Sequence, residues 1–114
     1  MIKEHAKKKN VLSGKGSDYI LISPEFYELP EIDWLLHSPE GANRVLFYQH
    51  LYGCRAKLNK RNLRYEEINP DQHWDGAFVQ TTLEYLEKLK LVVLKTINQV
   101  QYVEVLDSNV MREP

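Results

Sequence analysis

Histidine and cysteine are the side chains with which this chain could build a metal site or an activated nucleophile. The sequence has one cysteine, Cys54, and four histidines, His5, His37, His50 and His73. The histidines show no ligand spacing to one another, and His50 with Cys54 one helical turn later offers only two of the ligands that zinc needs. As a nucleophile, Cys54 would need a base and an orienting group that the sequence does not show. We therefore expect a structural thiol beside a surface histidine, and neither a metal nor a cofactor.

Paired carboxylates are the second set of groups that could carry out a reaction. Glu66 and Glu67 are adjacent, and Glu84 and Glu87 are close enough to share one face of a helix. Catalytic carboxylate pairs exist, but this spacing is typical of a solvated helix face. The sequence therefore predicts no catalytic residues and a protein that is not an enzyme.

A cluster of cations is the strongest candidate for a functional site. Residues 54–64 carry a net charge of +5 with no acid among them, and we call their five cations the basic island: Arg55, Lys57, Lys60, Arg61 and Arg64. Contacts to nucleic-acid phosphates require such a local density of positive charge. Cations at a helix C-terminus also complement the helix dipole, so a purely structural role stays open.

Polar residues near the start of a later helix add a second candidate. Gln80 and Thr81 lie where a helix in the major groove would reach base edges. Glu84 and Glu87 on the same outward side would repel a phosphate backbone. The predicted nucleic-acid-binding residues are thus the basic island together with Gln80 and Thr81.

Hydrophobic spacing and start signals predict the elements that must position these side chains. An apolar run at 19–22 predicts a strand, and Ser-Pro-Glu at 23–25 and at 38–40 is typical of a helix start. Apolar residues at helical spacing predict a helix near 30–37 and a long, mostly buried helix over 40–58.

The second half of the chain predicts a brief strand at 63–65, a helix from 76 to 89, and a hairpin of 91–94 with 101–106 around residues 98 and 99. Helices closed by a two-stranded wing predict an α+β fold. We expect a winged-helix-like domain with a C-terminal β-hairpin wing and a short N-terminal strand.

Length and charge predict the domain organisation. A chain of 114 residues can bury one core, and residues 18–106 contain all of the predicted elements. Residues 1–17 carry a net charge of +4 and few apolar side chains, so we expect a flexible basic tail there, and a C-terminal tail at 107–114. No apolar run is long enough to span a membrane, the lysine-rich residues 1–16 lack the apolar stretch of a secretory signal so that export is not expected, and one cysteine cannot form an internal disulfide. A cytoplasmic protein is expected.

Several stretches resemble a known family. The run Tyr19-Ile20-Leu21-Ile22, the Pro39-Glu40-Gly41 triplet followed by Val45-Leu46-Phe47-Tyr48-Gln49, and Leu86 through Val92 resemble the N-terminal domain of phage replisome organisers, which is similar to DnaD-like primosomal proteins. The resemblance covers roughly residues 18–106. It implies a domain that binds DNA or assembles in the initiation of phage or plasmid replication, with partners such as a helicase loader.

One departure from the family pattern leaves other functions open. Family members have a full helix between the short strand and the last helix, whereas here only residues 66–74 lie between them, with Pro70 in the middle. A protein-interaction module with a degenerate helix-turn-helix is therefore one alternative, and a transcriptional regulator is another. Aromatic side chains left exposed, above all Trp74 or Tyr102, would favour an assembly surface such as a twofold homo-oligomer.

Overall fold

The computed structural model describes residues 16–112, and this part of the chain contains four α-helices and two small antiparallel sheets. In chain order the elements are β1 (Leu21–Ile22), a 3₁₀ helix (Pro24–Glu28), α1 (Pro30–Leu36), α2 (Gly41–Leu58), β2 (Asn62–Arg64), α3 (Tyr65–Ile68), α4 (Gly76–Lys88), β3 (Val92–Ile97), β4 (Val100–Val105) and β5 (Met111–Arg112). The predicted α+β class is confirmed. None of the described helices is long and apolar enough to cross a bilayer.

Helix α2 forms the centre of the fold and begins against the end of α1. Glu40, which precedes it, has a left-handed backbone with φ 57°. A Cβ atom on Gly41 would lie 2.0 Å from the carbonyl oxygen of Leu36, so only glycine permits the two helices to meet here. The Pro-Glu-Gly triplet thus encodes a tight corner between helices.

The apolar side chains of α2 belong to one hydrophobic core that the other elements share. Its buried residues include Phe47 and Leu51, both fully shielded from solvent. The other large, fully buried side chains come from the 3₁₀ helix, from α1, α3 and α4, and from the strands, and they include Phe26, Ile32, Leu35, Leu63, Ile68, Leu86, Val92, Val105 and Met111. A single core therefore fixes the helices relative to the sheet.

The predicted hairpin is confirmed and extends into a three-stranded sheet with the order β2-β4-β3. Asn98 and Gln99 both have positive φ, at 52° and 67°, as a two-residue type I′ turn requires. The register pairs Leu63 with Val103, and Arg64 with Tyr102. Because side chains alternate along a strand, Leu63 and Val103 face the helices while Arg64 and Tyr102 lie on the outer face.

Helix α3 is a single turn, and Asn69 organises the loop that follows it. The Asn69 side chain donates to the Trp74 carbonyl at 2.9 Å and accepts from the Trp74 backbone amide at 3.0 Å. Trp74 then stacks on Phe78 with ring centroids 5.6 Å apart and packs edge-on against Phe47. Trp74 is therefore a half-buried part of the core rather than a free aromatic surface.

The ends of the chain differ in part from the expected tails. The segment expected to be a C-terminal tail contains β5, which pairs antiparallel with β1 and buries Met111 to 1% exposure. This pairing joins residues far apart in sequence, so no local pattern signals it. Of the expected basic tail, residues 1–15 lie outside the described part, and the Ser17 amide donates to the carbonyl of Ala56 at 2.8 Å.

Candidate nucleic-acid interface

Arg55, the first residue of the basic island, points into the fold. It is 6% exposed, and its Nη1 donates to the carbonyl oxygen of Val105 at 2.9 Å. Its guanidinium pairs with Asp107 and lies over the ring of Tyr52, 4.9 Å from the centroid. The hydrogen bond from Arg55 holds the pKa of Asp107 below its ordinary value. Arg55 was predicted as a phosphate contact, but its guanidinium is buried and instead holds the end of β4 and Asp107 against α2.

Three further cations of the island lie at the surface beside carboxylates. Lys60 pairs with Glu67, Arg61 lies 3.6 Å from Asp107, and Arg64 lies 3.5 Å from Glu66. Although partial burial opposes ionisation of Glu67, the Lys60 side chain and the Arg64 backbone amide lower its pKa. The island has no acid within its own sequence, but the fold brings acids from α3 and from the end of β4 to it.

Lys57 and Arg64 are the most accessible cations of the island. Lys57 is exposed, in the last turn of α2, with no carboxylate within 4.0 Å among residues 16–112. The side chain of Arg64 is 47% exposed, against 37% for Arg61 and 30% for Lys60. The accessible positive charge of the island is therefore concentrated at Lys57, near the end of α2, and at Arg64, at the end of β2.

A groove separates the start of α4 from the hairpin and is bordered by Tyr65, the residue after Arg64. Its volume is about 100 Å³, and Gln80 and Tyr65 line it together with Leu94 and Gln101 of the hairpin. Gln80 is exposed and donates to the Glu84 carboxylate at 3.1 Å. Thr81 is half-buried and is not among the residues that line the groove. The fold therefore brings Gln80, but not Thr81, into the groove beside β2 and the hairpin.

Two residues that the sequence analysis did not select for nucleic-acid binding, Tyr102 and Lys95, lie in one row with Arg64. Tyr102 of β4 is the register partner of both Arg64 on β2 and Lys95 on β3, so the three side chains form one row across the outer face of the sheet. Tyr102 and Lys95 are half-buried, and Lys95 pairs with Glu104 at 2.8 Å. The alternation of side chains along the predicted hairpin could have indicated that Tyr102 and Lys95 share one face. The position of Arg64 beside them could not be predicted, because it depends on how β2 pairs with β4.

Arg44 is a further residue that the sequence analysis did not select. It is 6% exposed, and its Nε donates to the Pro39 carbonyl at 2.7 Å. Its Nη1 donates to Thr82 Oγ1 at 2.5 Å, and its guanidinium lies over the rings of Phe78 and Tyr85. The available signal was an arginine directly before the apolar residues Val45, Phe47 and Tyr48 of α2. Arg44 is a structural cation that links α2 to α4.

The cysteine and histidine pair lacks the arrangement that nucleophilic catalysis needs. Burial raises the pKa of Cys54 to about 11, so the thiol stays protonated at neutral pH. His50 Nε2 lies 2.7 Å from the carbonyl oxygen of Ile68, which can only accept a hydrogen bond. That nitrogen therefore carries a proton and cannot take one from the Cys54 sulfur, 3.5 Å away. Among residues 16–112, no group of three or more acidic, histidine or cysteine side chains could hold a metal ion.

Comparisons with protein-family profiles, curated proteins and solved structures find no match to this chain. The resemblance to replisome organisers therefore stays a prediction that depends on the residues quoted for it.

Proposed function

We propose that this protein is a DNA-binding module of the winged-helix type that acts in the initiation of phage or plasmid DNA replication. The observation that carries the proposal is that Lys57 and Arg64 are exposed and Arg61 is partly exposed, and that Tyr65, next to Arg64 in the chain, lines the groove together with Gln80. The cations would contact phosphates, and Gln80 would be the one candidate for contact with a base edge.

The order of the elements supports the winged-helix part of the proposal. Helix α2, strand β2, the single turn α3, helix α4 and the β3–β4 hairpin follow one another, and β2 pairs with β4 in the middle of the sheet. In a winged helix this order makes α4 the recognition helix and the hairpin its wing. The resemblance of residues 18–106 to replisome organisers supports replication as the process, with a helicase loader among the partners.

A protein-interaction module is the second candidate, and a specific observation favours it. Ile97 and Val100 at the tip of the hairpin are 48% and 40% exposed. Carboxylates also partner most cations of the basic island, which lowers the positive potential that DNA would meet. An apolar tip on a partly neutralised surface is suited to a protein partner.

The experiment that tests the proposal is a titration of a labelled DNA duplex, followed by fluorescence anisotropy at several salt concentrations. Three phosphate contacts predict a slope of log affinity against log salt of roughly −2.7, because each neutralised phosphate contributes about −0.9. The Arg61→Ala/Arg64→Ala variant should weaken binding to all sequences alike and flatten the slope by about 1.8. A Gln80→Ala variant should change sequence preference instead.

The matched control removes two cations elsewhere. Lys88 is the last residue of α4 and Lys90 lies in the turn after it, and both are exposed at the end of the helix away from Gln80, so the Lys88→Ala/Lys90→Ala variant changes the net charge equally. It should keep most of the affinity. Undetectable binding at low salt, or equal losses in both double variants, would reject the DNA interface and favour the protein-interaction module.

A further inference from the structure

The outer face of the three-stranded sheet carries an aromatic ring between two cations. Arg64, Tyr102 and Lys95 lie side by side on β2, β4 and β3, because Tyr102 is the register partner of the other two. Neighbouring strands are about 5 Å apart, so the two cations start roughly 10 Å from each other with the tyrosine between them. Neither helix packing nor the core requires a charged row here, since the inner face of the sheet supplies the buried residues.

From this row we infer that the outer face of the sheet binds single-stranded DNA, with one unpaired base stacked on Tyr102 and its flanking phosphates contacted by Arg64 and Lys95. This inference rests on the proposed DNA-binding function and names the form of DNA. Stacking on an aromatic ring combined with neighbouring cations is the arrangement by which proteins hold single strands without reading their sequence.

The shape of the surface favours an unpaired strand over a duplex. A base inside a duplex is stacked on both sides, so a ring on a flat sheet cannot reach its face. The side chains beyond the row on the same face, Ile97 and Val100, are exposed and apolar and can contact the next base or sugar. Tyr102 and Lys95 are also among the residues that border the groove at Gln80 on the other side of the hairpin.

Two carboxylates near the row partly neutralise its cations. Glu104, which is 21% exposed, holds Lys95 at 2.8 Å, and Glu66 lies 3.5 Å from Arg64. An arriving phosphate competes with each carboxylate for its cation. Replacing Glu104 by glutamine frees Lys95 without adding a cation, so the Glu104→Gln variant should bind single strands more tightly.

The experiment compares a labelled oligothymidylate with a duplex of the same length, using the full chain and fluorescence anisotropy. Tyr102→Ala should weaken binding of the single strand by about tenfold, since one base stacked on an aromatic ring contributes roughly 5- to 150-fold. Tyr102→Phe keeps the ring and should retain most of the affinity. Tyr27, 55% exposed on the 3₁₀ helix, is the matched control, and Tyr27→Ala should leave both affinities unchanged.

If Tyr102→Ala does not fold, a Tyr102→Trp variant tests the stacking by its fluorescence. Saturating oligothymidylate should quench the fluorescence that the introduced indole adds over the wild type, and an unchanged signal would overturn the stacking.

The two forms of DNA separate this inference from the proposed function. Duplex binding without single-strand binding would overturn this inference and leave the proposed function standing, whereas no binding of either DNA would reject both. The alternative is that a second copy of the chain covers this face, and sedimentation of the wild type and of Tyr102→Ala tests it. A wild-type dimer that dissociates in the variant would assign the face to that second copy and overturn the inference.

Discussion

The guanidinium of Arg44 donates a hydrogen bond of 2.5 Å to the hydroxyl of Thr82 and so links α2 to α4 inside the protein. The Thr82 hydroxyl in turn donates a hydrogen bond of 2.7 Å to the carbonyl oxygen of Phe78, one turn earlier in α4. Arg44 has no carboxylate within ion-pair distance among the described residues, and two aromatic rings and two carbonyl oxygens surround its charge instead. Arg44 therefore adds polar and aromatic contacts to the apolar packing that holds α4 against α2.

Arg44→Ala should lower the free energy of unfolding by about 2–4 kcal/mol, because it removes charged hydrogen bonds and leaves a cavity between the helices. Urea unfolding followed by circular dichroism measures the change. Arg112→Ala, which truncates an exposed arginine, should cost no more than about 0.5 kcal/mol. A double-mutant cycle with Thr82→Ala should give a coupling free energy of about 1 kcal/mol between the two side chains. If the two losses of stability simply added, the hydrogen bond between Arg44 and Thr82 would not be contributing.

Asp107→Asn should destabilise the protein at neutral pH and have little effect in acid. Arg55 lowers the pKa of Asp107 in the folded state, so the folded protein binds this proton more weakly than the unfolded chain does. The stabilisation is therefore present above about pH 4 and is lost as the pH falls through the folded-state pKa. Urea unfolding of both proteins from neutral to acid pH should give curves that converge. Asp71→Asn, at an exposed aspartate outside every ion pair of the described residues, should show no such difference.

Gln99→Gly should stabilise the hairpin by about 0.5–1 kcal/mol. Gln99 has φ 67°, which is unfavourable for a residue with a side chain, and Asn-Gly is the preferred pair for a type I′ turn. A rise in the thermal midpoint would measure this gain. The control Gln101→Gly changes the same residue type at a strand position without positive φ, and it should lower the thermal midpoint. If both variants lowered the thermal midpoint, Gln99 would not be strained in the turn.

Cys54 should react slowly with a thiol reagent at neutral pH. Its half-buried position and a pKa of about 11 leave only a trace of thiolate. The rate of modification by a disulfide reagent should rise steeply with pH and also on addition of denaturant. Rapid modification of the folded protein at neutral pH would contradict the buried thiol and reopen a nucleophilic role.

Local signals were sufficient for most of the helices and strands. The proline and acidic start signals, the apolar spacing of α2 and the strand runs around residues 98 and 99 each act over a few residues, so the sequence predicts α1, α2, α4 and the hairpin close to their observed bounds. Strand β5 was not predicted, because two residues paired with a distant strand carry no periodicity of their own.

The sequence by itself determined that residues 54–64 contain five cations and no acid, because the charge of a segment depends only on which residues it contains. Only the tertiary structure decided what each of them does. The direction of Arg55 depends on where β4 ends and Asp107 lies, and the row of Arg64, Tyr102 and Lys95 depends on the register of three strands. Register and packing arise from contacts between residues distant in sequence, so the spacing of residues along the chain cannot specify which cations reach solvent and which are buried.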